Sequence, residues 1–387
     1  MFTIKDHHIK GKRVIIRVDF NVPLDSDFNV VDDSRIAASI PTINKIITNG
    51  GRAILISHMG RPNGKFVGGL SLKHVLNCLS KLVGKKVFFS HDCIGEKVLR
   101  DVDKMKNGDV LLLENLRFYA EEEKGDENFA KELSKMGDIY VNDAFGTAHR
   151  THASTTTIAN YFKNAKHFGL LLGSEVESIK RVTENPRRPF TAIIGGAKTS
   201  GKINVLRALI KKVDNLIIGG GMAYTFIKAL GGETGNSLVE NDKLSLALDL
   251  IADAKKEKVC FFLPVDSINA SNFSNDANIE RTKASAISQG YMGLDIGEAS
   301  VESFVEVIRR SKTIIWNGPM GVFEMTNFEK GTKQIAEAVC RASEEGSYSF
   351  VGGGDSVSAI KKFKLDGRVS YLSTGGGAML KYIEGGN

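Results

Sequence analysis

The stretch FTAIIGGAKTSGKINVLRALIKKV, residues 190–213, contains a strand, a glycine loop and a helix in that order. Phe190 to Ile194 is a short apolar run of strand formers, and KINVLRALIKKV, residues 202–213, reads as the helix that follows. A strand passed through glycines into a helix is the repeating unit of a parallel α/β sheet. Glycines let backbone N–H groups close on phosphate oxygens, and Lys198 and Lys202 add point charges. The first helical turn is expected to aim free N–H groups at whatever the loop holds. The spacing nearly matches GxxxxGK[ST], with Gly196, Gly201 and Lys202 in place, but Ile203 stands where a magnesium-binding hydroxyl belongs. That miss argues against a P-loop NTPase.

Working outward, the same unit recurs. Strand-like runs lie at residues 13–18, 52–57, 86–89, 110–114 and 138–141, with a weaker one in the terminal FTIKD; the second half repeats them at 190–194, 214–218, 259–263, 313–316, 347–351 and 368–372. At 387 residues the chain exceeds what one core serves. The expectation is an α/β protein of two similar-sized domains, each a Rossmann-like parallel six-stranded sheet flanked by helices. One intervening helix shows Ile36, Ile40, Ile43 and Ile47 at helical spacing, capped by Asp33 or Ser34, with Gly50 suited to its end. Pro41 inside it predicts a kink or a late start. Between the halves a helix is predicted over 174–184, broken by Asn185 and Pro186, and composition reads equally as a hinge or a plain linker.

Composition narrows the class. The chain is 42% apolar and 25% charged with 7 Pro, which is ordinary for a folded protein and not for a disordered one. Net charge is +7, yet no segment is a run of Lys and Arg, so small anions are favoured over a polyanion such as nucleic acid. Cys78, Cys93, Cys260 and Cys340 form no CxxC pair, which removes a zinc knuckle and a disulfide framework. The start lacks a signal-peptide core, and no run is long enough to span a bilayer, so a cytoplasmic location is expected.

The chemistry of the strand-end loops changes near residue 190. Earlier loops are polar and charged: RVDFN to Asn21, SHMGR to Arg61, ENLRF to Phe118 and VNDAFGTAHR to Arg150. They bring Arg17, Arg35, Arg61, Arg117 and Arg150, with His58 and His149, to loop positions. A guanidinium fork matches a phosphate or carboxylate at two points and stays charged. Any one of these arginines alone reads most simply as a surface salt bridge; the set, after successive strands, reads as an anion site. Asp19 and Asn21 suit a substrate hydroxyl. The later loops are glycine clusters: IIGGAK, IIGGGM, WNGPMG, FVGGGD and STGGG. Asp355 in GGGDS reads either as a helix cap or, beside a nucleotide, as a magnesium ligand. Glu324 is a candidate for ribose hydroxyls. No GxGxxG is present, so a dinucleotide site lacks its fingerprint. Two loop chemistries on two sheets imply two anionic ligands, and hence a phosphotransferase.

Together RVDFNVPL, SHMGRPNG, LLLENLRF, VNDAFGTAHRTHAST, GGAKTSGKI, GGGMAYTF, WNGPMGVFE, GGGDS and STGGGA resemble the phosphoglycerate kinase family in order, from residue 13 to 378. The resemblance implies reversible phosphoryl transfer from 1,3-bisphosphoglycerate to ADP, giving 3-phosphoglycerate and ATP in glycolysis or gluconeogenesis, by in-line transfer after hinge closure. It implies a phosphoglycerate-binding domain over 1–172, with residues 373–387 returning to it, and a nucleotide-binding domain over 173–372 that includes the linker helix. It puts Asp19, Asn21, Arg35, His58, Arg61, Arg117 and Arg150 on phosphoglycerate, with Phe20, Met59, Gly60 and His149 of the same loops among the expected contacts. Around the nucleotide it puts Gly196, Ala197, Lys198, Lys202, Gly219, Gly220, Asn317, Glu324, Gly353, Gly354, Asp355 and Ser356, with Asp355 on Mg2+. Arg35 and Lys198 are the expected catalytic pair, supported by Gly375 and Gly376. The implied partners are these small molecules alone, without nucleic acid or membrane, and the expected state is a monomer. Departures are Gly201, where the family often has Asp; DIGEAS at 295–300, where DIGPKT is usual; and Ser356, which keeps the hydroxyl of a frequent Thr.

Overall fold

The computed structural model describes residues 2–4 and 9–385. It divides into two compact units, Met1–Glu177 and Ser178–Asn387. The boundary falls inside the helix Leu170–Thr183.

In the first unit β1 (Phe2–Thr3), β2 (Arg13–Arg17), β3 (Arg52–Ile56), β4 (Phe88–Phe89), β5 (Val110–Leu112), β6 (Ile139–Asn142) and β7 (Lys166–Phe168) form one sheet in the order β1-β7-β6-β2-β3-β5-β4. Every pairing is parallel. Both faces are covered, and the period-two alternation of β2 shows how. Val14 and Ile16 pack with Ile36, Ile43 and Ile46 of the helix Ser34–Thr48, while Ile15 packs on the other face with Val98, Phe129 and Leu133.

The second unit repeats the plan with β8 (Phe190–Ile194), β9 (Asn215–Ile218), β11 (Cys260–Phe262), β16 (Thr313–Asn317), β17 (Tyr348–Val351) and β18 (Tyr371–Leu372), in the parallel order β11-β9-β8-β16-β17-β18. Ile193, Ile217, Ile314 and Trp316 meet the helices Glu298–Arg310 and Lys330–Glu344 on one face. Two small additions complete it. β12 (Asp266–Ala270) pairs antiparallel with β13 (Ile279–Lys283) and β15 (Met292–Ile296), and β10 (Glu233–Thr234) pairs with β14 (Ala286–Ile287).

Each sheet has a switch point where the chain returns to the opposite side of its central strand. In the first unit it lies between β2 and β6, where Arg17 pairs with Asn142; in the second it lies between β8 and β16, where Ile194 pairs with Asn317. A crevice opens at the carboxyl ends of strands that diverge this way. The loops singled out above leave those ends.

All six strands expected in the second half are present. In the first half β7 was not anticipated, since KHF carries two polar residues in three, and of FTIKD the residues Lys5 and Asp6 lie outside the described residues. The helix Ser34–Thr48 retains Pro41 inside it, and its first turn is capped by Asp32, which accepts from Ser34 N at 2.9 Å, rather than by a side chain at 33 or 34. The connecting helix starts at Leu170, four residues earlier than predicted. The terminal helix Gly376–Ile383 packs against the helix Ile203–Ile210 within the second unit.

Candidate active site

At the β2/β6 crevice, guanidinium groups gather around one buried imidazole. Arg35, in the first turn of its helix, donates from Nη1 to Asn21 O at 2.8 Å and lies 3.4 Å from Asp19 Oδ2. Asn21 Oδ1 accepts from Gly60 N at 2.8 Å, which ties the loop after β2 to the loop after β3. Arg117 donates from Nη1 to Gly60 O at 2.7 Å and pairs through Nε with Glu123 at 3.1 Å. Its Nη2 is buried and has no partner among the described residues. A buried guanidinium nitrogen without an acceptor is costly, so this is a corner that an anion from outside would complete. Burial, then the positive charges of Arg17, Arg117, Arg150 and Arg35, hold His58 well below the usual imidazole range. Its ring is therefore neutral.

The frame under this cluster is polar and saturated. Asn115 is fully buried: its Oδ1 accepts from Met59 N at 3.2 Å and Arg117 N at 3.0 Å, and its Nδ2 donates to Met59 O at 2.7 Å and Leu70 O at 2.9 Å. All its capacity is spent fixing two site loops. Glu114 beside it accepts from Ser71 Oγ, Leu72 N and Asn115 N at 2.6, 2.9 and 2.7 Å. Neither residue was singled out from sequence, because most of their partners are 40 to 60 positions away and no local pattern marks them.

At the β8/β16 crevice the wall is backbone. Gly195 N donates to Asn317 O at 2.9 Å, Gly196 N to Pro319 O at 3.1 Å, and Gly220 N to Met320 O at 3.0 Å, so three strand-end loops lie against each other. A Cβ on Gly195 would meet Pro319 O at 2.1 Å, and one on Gly220, where φ is +66°, would meet Gly196 N at 2.6 Å. Lys202 crosses beneath them and donates to Gly195 O at 2.5 Å and Asn317 O at 3.3 Å. Burial pushes its ammonium down to about 8, against a smaller upward pull from Asp355. Asn317 Nδ2 donates to Gly352 O at 2.8 Å, and Ser356 Oγ accepts from Gly318 N at 2.6 Å, joining the loop after β17. Asp355 is exposed in the first turn of the helix Gly354–Lys362.

Just ahead of the helix after the glycine loop, two N–H groups are already taken: Glu240 Oε2 accepts from Thr199 N at 2.6 Å and Ser200 N at 3.0 Å. The helix proper begins at Ile203 after a short turn at Ser200–Lys202. A carboxylate brought from another loop satisfies these donors as a phosphate would. Nothing near Glu240 in the sequence signals this.

Of the residues predicted for the first site, Asp19, Asn21, Arg35, Gly60 and Arg117 are joined by direct contacts, His58 lies 3.9 Å from Asp19, and the charge of Arg150 is felt by His58 and Arg117. Arg61 and His149 are exposed on the same loops. The side chains of Phe20 and Met59 belong to the hydrophobic core, so only their backbone reaches the crevice. Arg17, one of the five loop arginines, is buried and bonds inward. In the second unit Gly196, Lys202, Gly219, Gly220, Asn317, Gly353 and Ser356 share the crevice, Gly376 lies against Gly353, and Ala197, Lys198, Gly354 and Glu324 are exposed beside or beyond it. Gly375 N donates to Ser373 Oγ at 3.2 Å. Leu238, exposed next to Gly221, was not foreseen.

A family model described as phosphoglycerate kinase matches residues 4–386. A phosphoglycerate kinase of Porphyromonas gingivalis is 49% identical, covering 99% of this chain and 97% of the relative; that of Chlorobaculum tepidum is also 49% identical, covering 99% and 96%. The solved phosphoglycerate kinase of Coxiella burnetii superposes with a TM-score of 0.88 at 40% identity, covering 99% of this chain and 96% of that one. The enzyme of Pyrococcus horikoshii gives 0.84 at 29% identity, covering 100% and 96%. With two sheets of the same plan, each opening at its own crevice, and relatives matched over almost their whole length, the chain belongs to the phosphoglycerate kinase family.

Proposed function

We propose that this chain transfers a phosphoryl group from 1,3-bisphosphoglycerate to ADP, giving 3-phosphoglycerate and ATP, and runs the reverse reaction. The observation that carries the reading is the division of chemistry between the crevices: guanidiniums with an unmatched buried donor in one, glycine backbone and lysine in the other.

On the first crevice Arg61, Arg117 and Arg150 hold the phosphate of phosphoglycerate, His58 donates one neutral hydrogen bond, and Asp19 and Asn21 meet the substrate hydroxyl. On the second, Gly196, Gly219, Gly220 and Lys202 line the phosphate path, Glu324 reaches the ribose, and the exposed Leu238 gives the base an apolar wall. In the direction of acyl phosphate formation, a carboxylate oxygen of 3-phosphoglycerate bonds to the γ-phosphorus as the bond to the β-phosphate oxygen breaks. The electron pair leaves on ADP. That carboxylate is already ionised at neutral pH, so no general base is needed. Arg35 and Lys198 stabilise charge on the equatorial oxygens, with the backbone N–H of Gly376 beside them and the Gly375 N–H held by Ser373 Oγ.

Among the described residues no three His, Cys, Asp or Glu side chains gather as a metal site. The exposed carboxylate of Asp355 fits Mg2+, which takes one or two carboxylates together with substrate phosphates and keeps its waters. Bound with the nucleotide, the ion offsets phosphate charge. In-line transfer requires the two ligands to meet with water excluded, so closure about the helix Leu170–Thr183 is part of the proposal, as are domains at 1–172 and 173–372 with the segment 373–387 returning to the first. So are a monomeric state, a cytoplasmic location, and small molecules as the only partners; no helix among the described residues is long and apolar enough to cross a membrane.

The test is a coupled assay on purified protein with 1,3-bisphosphoglycerate, ADP and Mg2+. ATP should form and chelation should stop it; a pure, folded protein that forms none would refute the function.

A further inference from the structure

Behind the first crevice runs a buried chain of polar groups that the transfer chemistry does not use. Glu122 is fully buried and accepts from Ser154 N at 2.9 Å and from Ser154 Oγ at 2.6 Å. The same Ser154 Oγ, its proton committed to Glu122, accepts from Arg17 Nε at 2.9 Å. Arg17 is 1% exposed and also donates to Val18 O. Its remaining nitrogen, Nη2, lies 3.2 Å from His58 Nδ1. A guanidinium carries donors only. His58 Nδ1 must therefore be the acceptor, and the ring proton must sit on Nε2.

We propose that Glu122 and Ser154 are positioning residues for phosphoglycerate: through Arg17 they fix His58 as its neutral Nε2–H tautomer, so the ring presents one uncharged donor to the substrate anion. The identity of that anion rests on the function proposed above; the tautomer does not. A further cation at this point would crowd Arg17, Arg35, Arg117 and Arg150, whose charges already oppose protonation of the ring. Asp19 Oδ1, at 3.9 Å from Nδ1, is too far to bond and leaves Arg17 as the partner. The division of labour is then clear. Arginines supply charge, and His58 supplies direction. Nothing in a pattern search would link Glu122 with His58, because the link passes through two residues, Ser154 and Arg17, from separate parts of the chain.

The experiment is 15N NMR of the histidine rings in the ligand-free full chain between pH 6 and 8, with His58 assigned by loss of its signals in His58→Gln. Nδ1 should resonate as an unprotonated acceptor and Nε2 as a protonated nitrogen at every pH. A proton on Nδ1, or a ring that protonates within that range, would overturn the proposal even if the enzyme turns over normally. Ser154→Ala should then mix the tautomers and raise KM for 3-phosphoglycerate about tenfold, the worth of one charge-assisted hydrogen bond, with KM for ATP and kcat within about threefold. Glu122→Gln, which keeps an acceptor but removes the charge holding Arg17, should move both readouts the same way. An unchanged His58 spectrum together with an unchanged KM in Ser154→Ala would also overturn it.

Discussion

Arg35 and Lys198 are accessible, unlike Arg17, Arg117 and Lys202. Arg17 and Arg117 are locked into the first unit and Lys202 beneath the glycine loops, whereas Arg35 is 41% exposed on its side chain and Lys198 is exposed at its loop. Side chains with solvent-exposed donors are the ones able to follow a migrating charge. Arg35→Ala should therefore lower kcat about 10²–10³-fold, the usual loss for one donor to a transition-state oxyanion, while Mg-ADP affinity measured by calorimetry stays within about twofold. Unchanged single-turnover transfer in that variant would remove Arg35 from the chemistry. Lys202 makes a pH prediction. Its folded value, about 8, is below the ordinary 10.5, so between those values the unfolded chain carries more proton and this residue's contribution to stability rises with pH. The phosphates of a bound nucleotide should restore the proton. ADP binding at pH 8.5 should thus take up protons in the unaltered protein, seen as a buffer-dependent calorimetric enthalpy, and the uptake should vanish in Lys202→Arg. The arginine fork and the lysines were legible in the sequence because both are side-chain chemistry at strand ends. Asn115, Glu114, Glu122 and Glu240 were not, because each acts through backbone or hydroxyl partners that only folding brings near.

The strand-loop-helix unit is governed by how closely backbones approach. Gly195 and Gly201 lie in one loop and should respond oppositely. A methyl at 195 would press into Pro319 O at 2.1 Å, whereas 201 has nothing within 4 Å. Gly195→Ala should cost about 1–3 kcal/mol as overpacking against backbone, and Gly201→Ala should be neutral or stabilise by about 0.4–1 kcal/mol through the unfolded chain, both by denaturant unfolding followed by circular dichroism. Equal effects would mean the three loops are not in contact. The parallel strands were legible because strands buried on both faces read as continuous apolar runs such as VIIRV and FTAII. The antiparallel β12, β13 and β15 were not, since IERTK is polar and half exposed and carries no such run. The segment DIGEAS proves to end β15, where buried Asp295 accepts from Gly331 N at 2.7 Å and is pushed up to about 7 by burial. Its role is to anchor the helix Lys330–Glu344.

At the scale of the molecule, one fold plan is used twice with different loops. The plan itself was readable from twelve strand signals and the abrupt change of loop chemistry near residue 190, and the order of the motifs did the rest. What sequence could not give was the seating of each side chain at its switch point, since that depends on register between strands more than 100 residues apart, as with Arg17 beside Asn142 or Ile194 beside Asn317. The central claim is that the two anions bind to separate units. The most direct measurement is calorimetric titration of 3-phosphoglycerate and of Mg-ADP, each alone, into the unaltered full chain, Arg117→Ala and Lys202→Ala. The account predicts that Arg117→Ala loses phosphoglycerate affinity by at least about tenfold with Mg-ADP affinity unchanged, and that Lys202→Ala does the reverse. If either substitution weakened both ligands equally, or weakened only the ligand assigned to the other unit, the division of the site would be wrong.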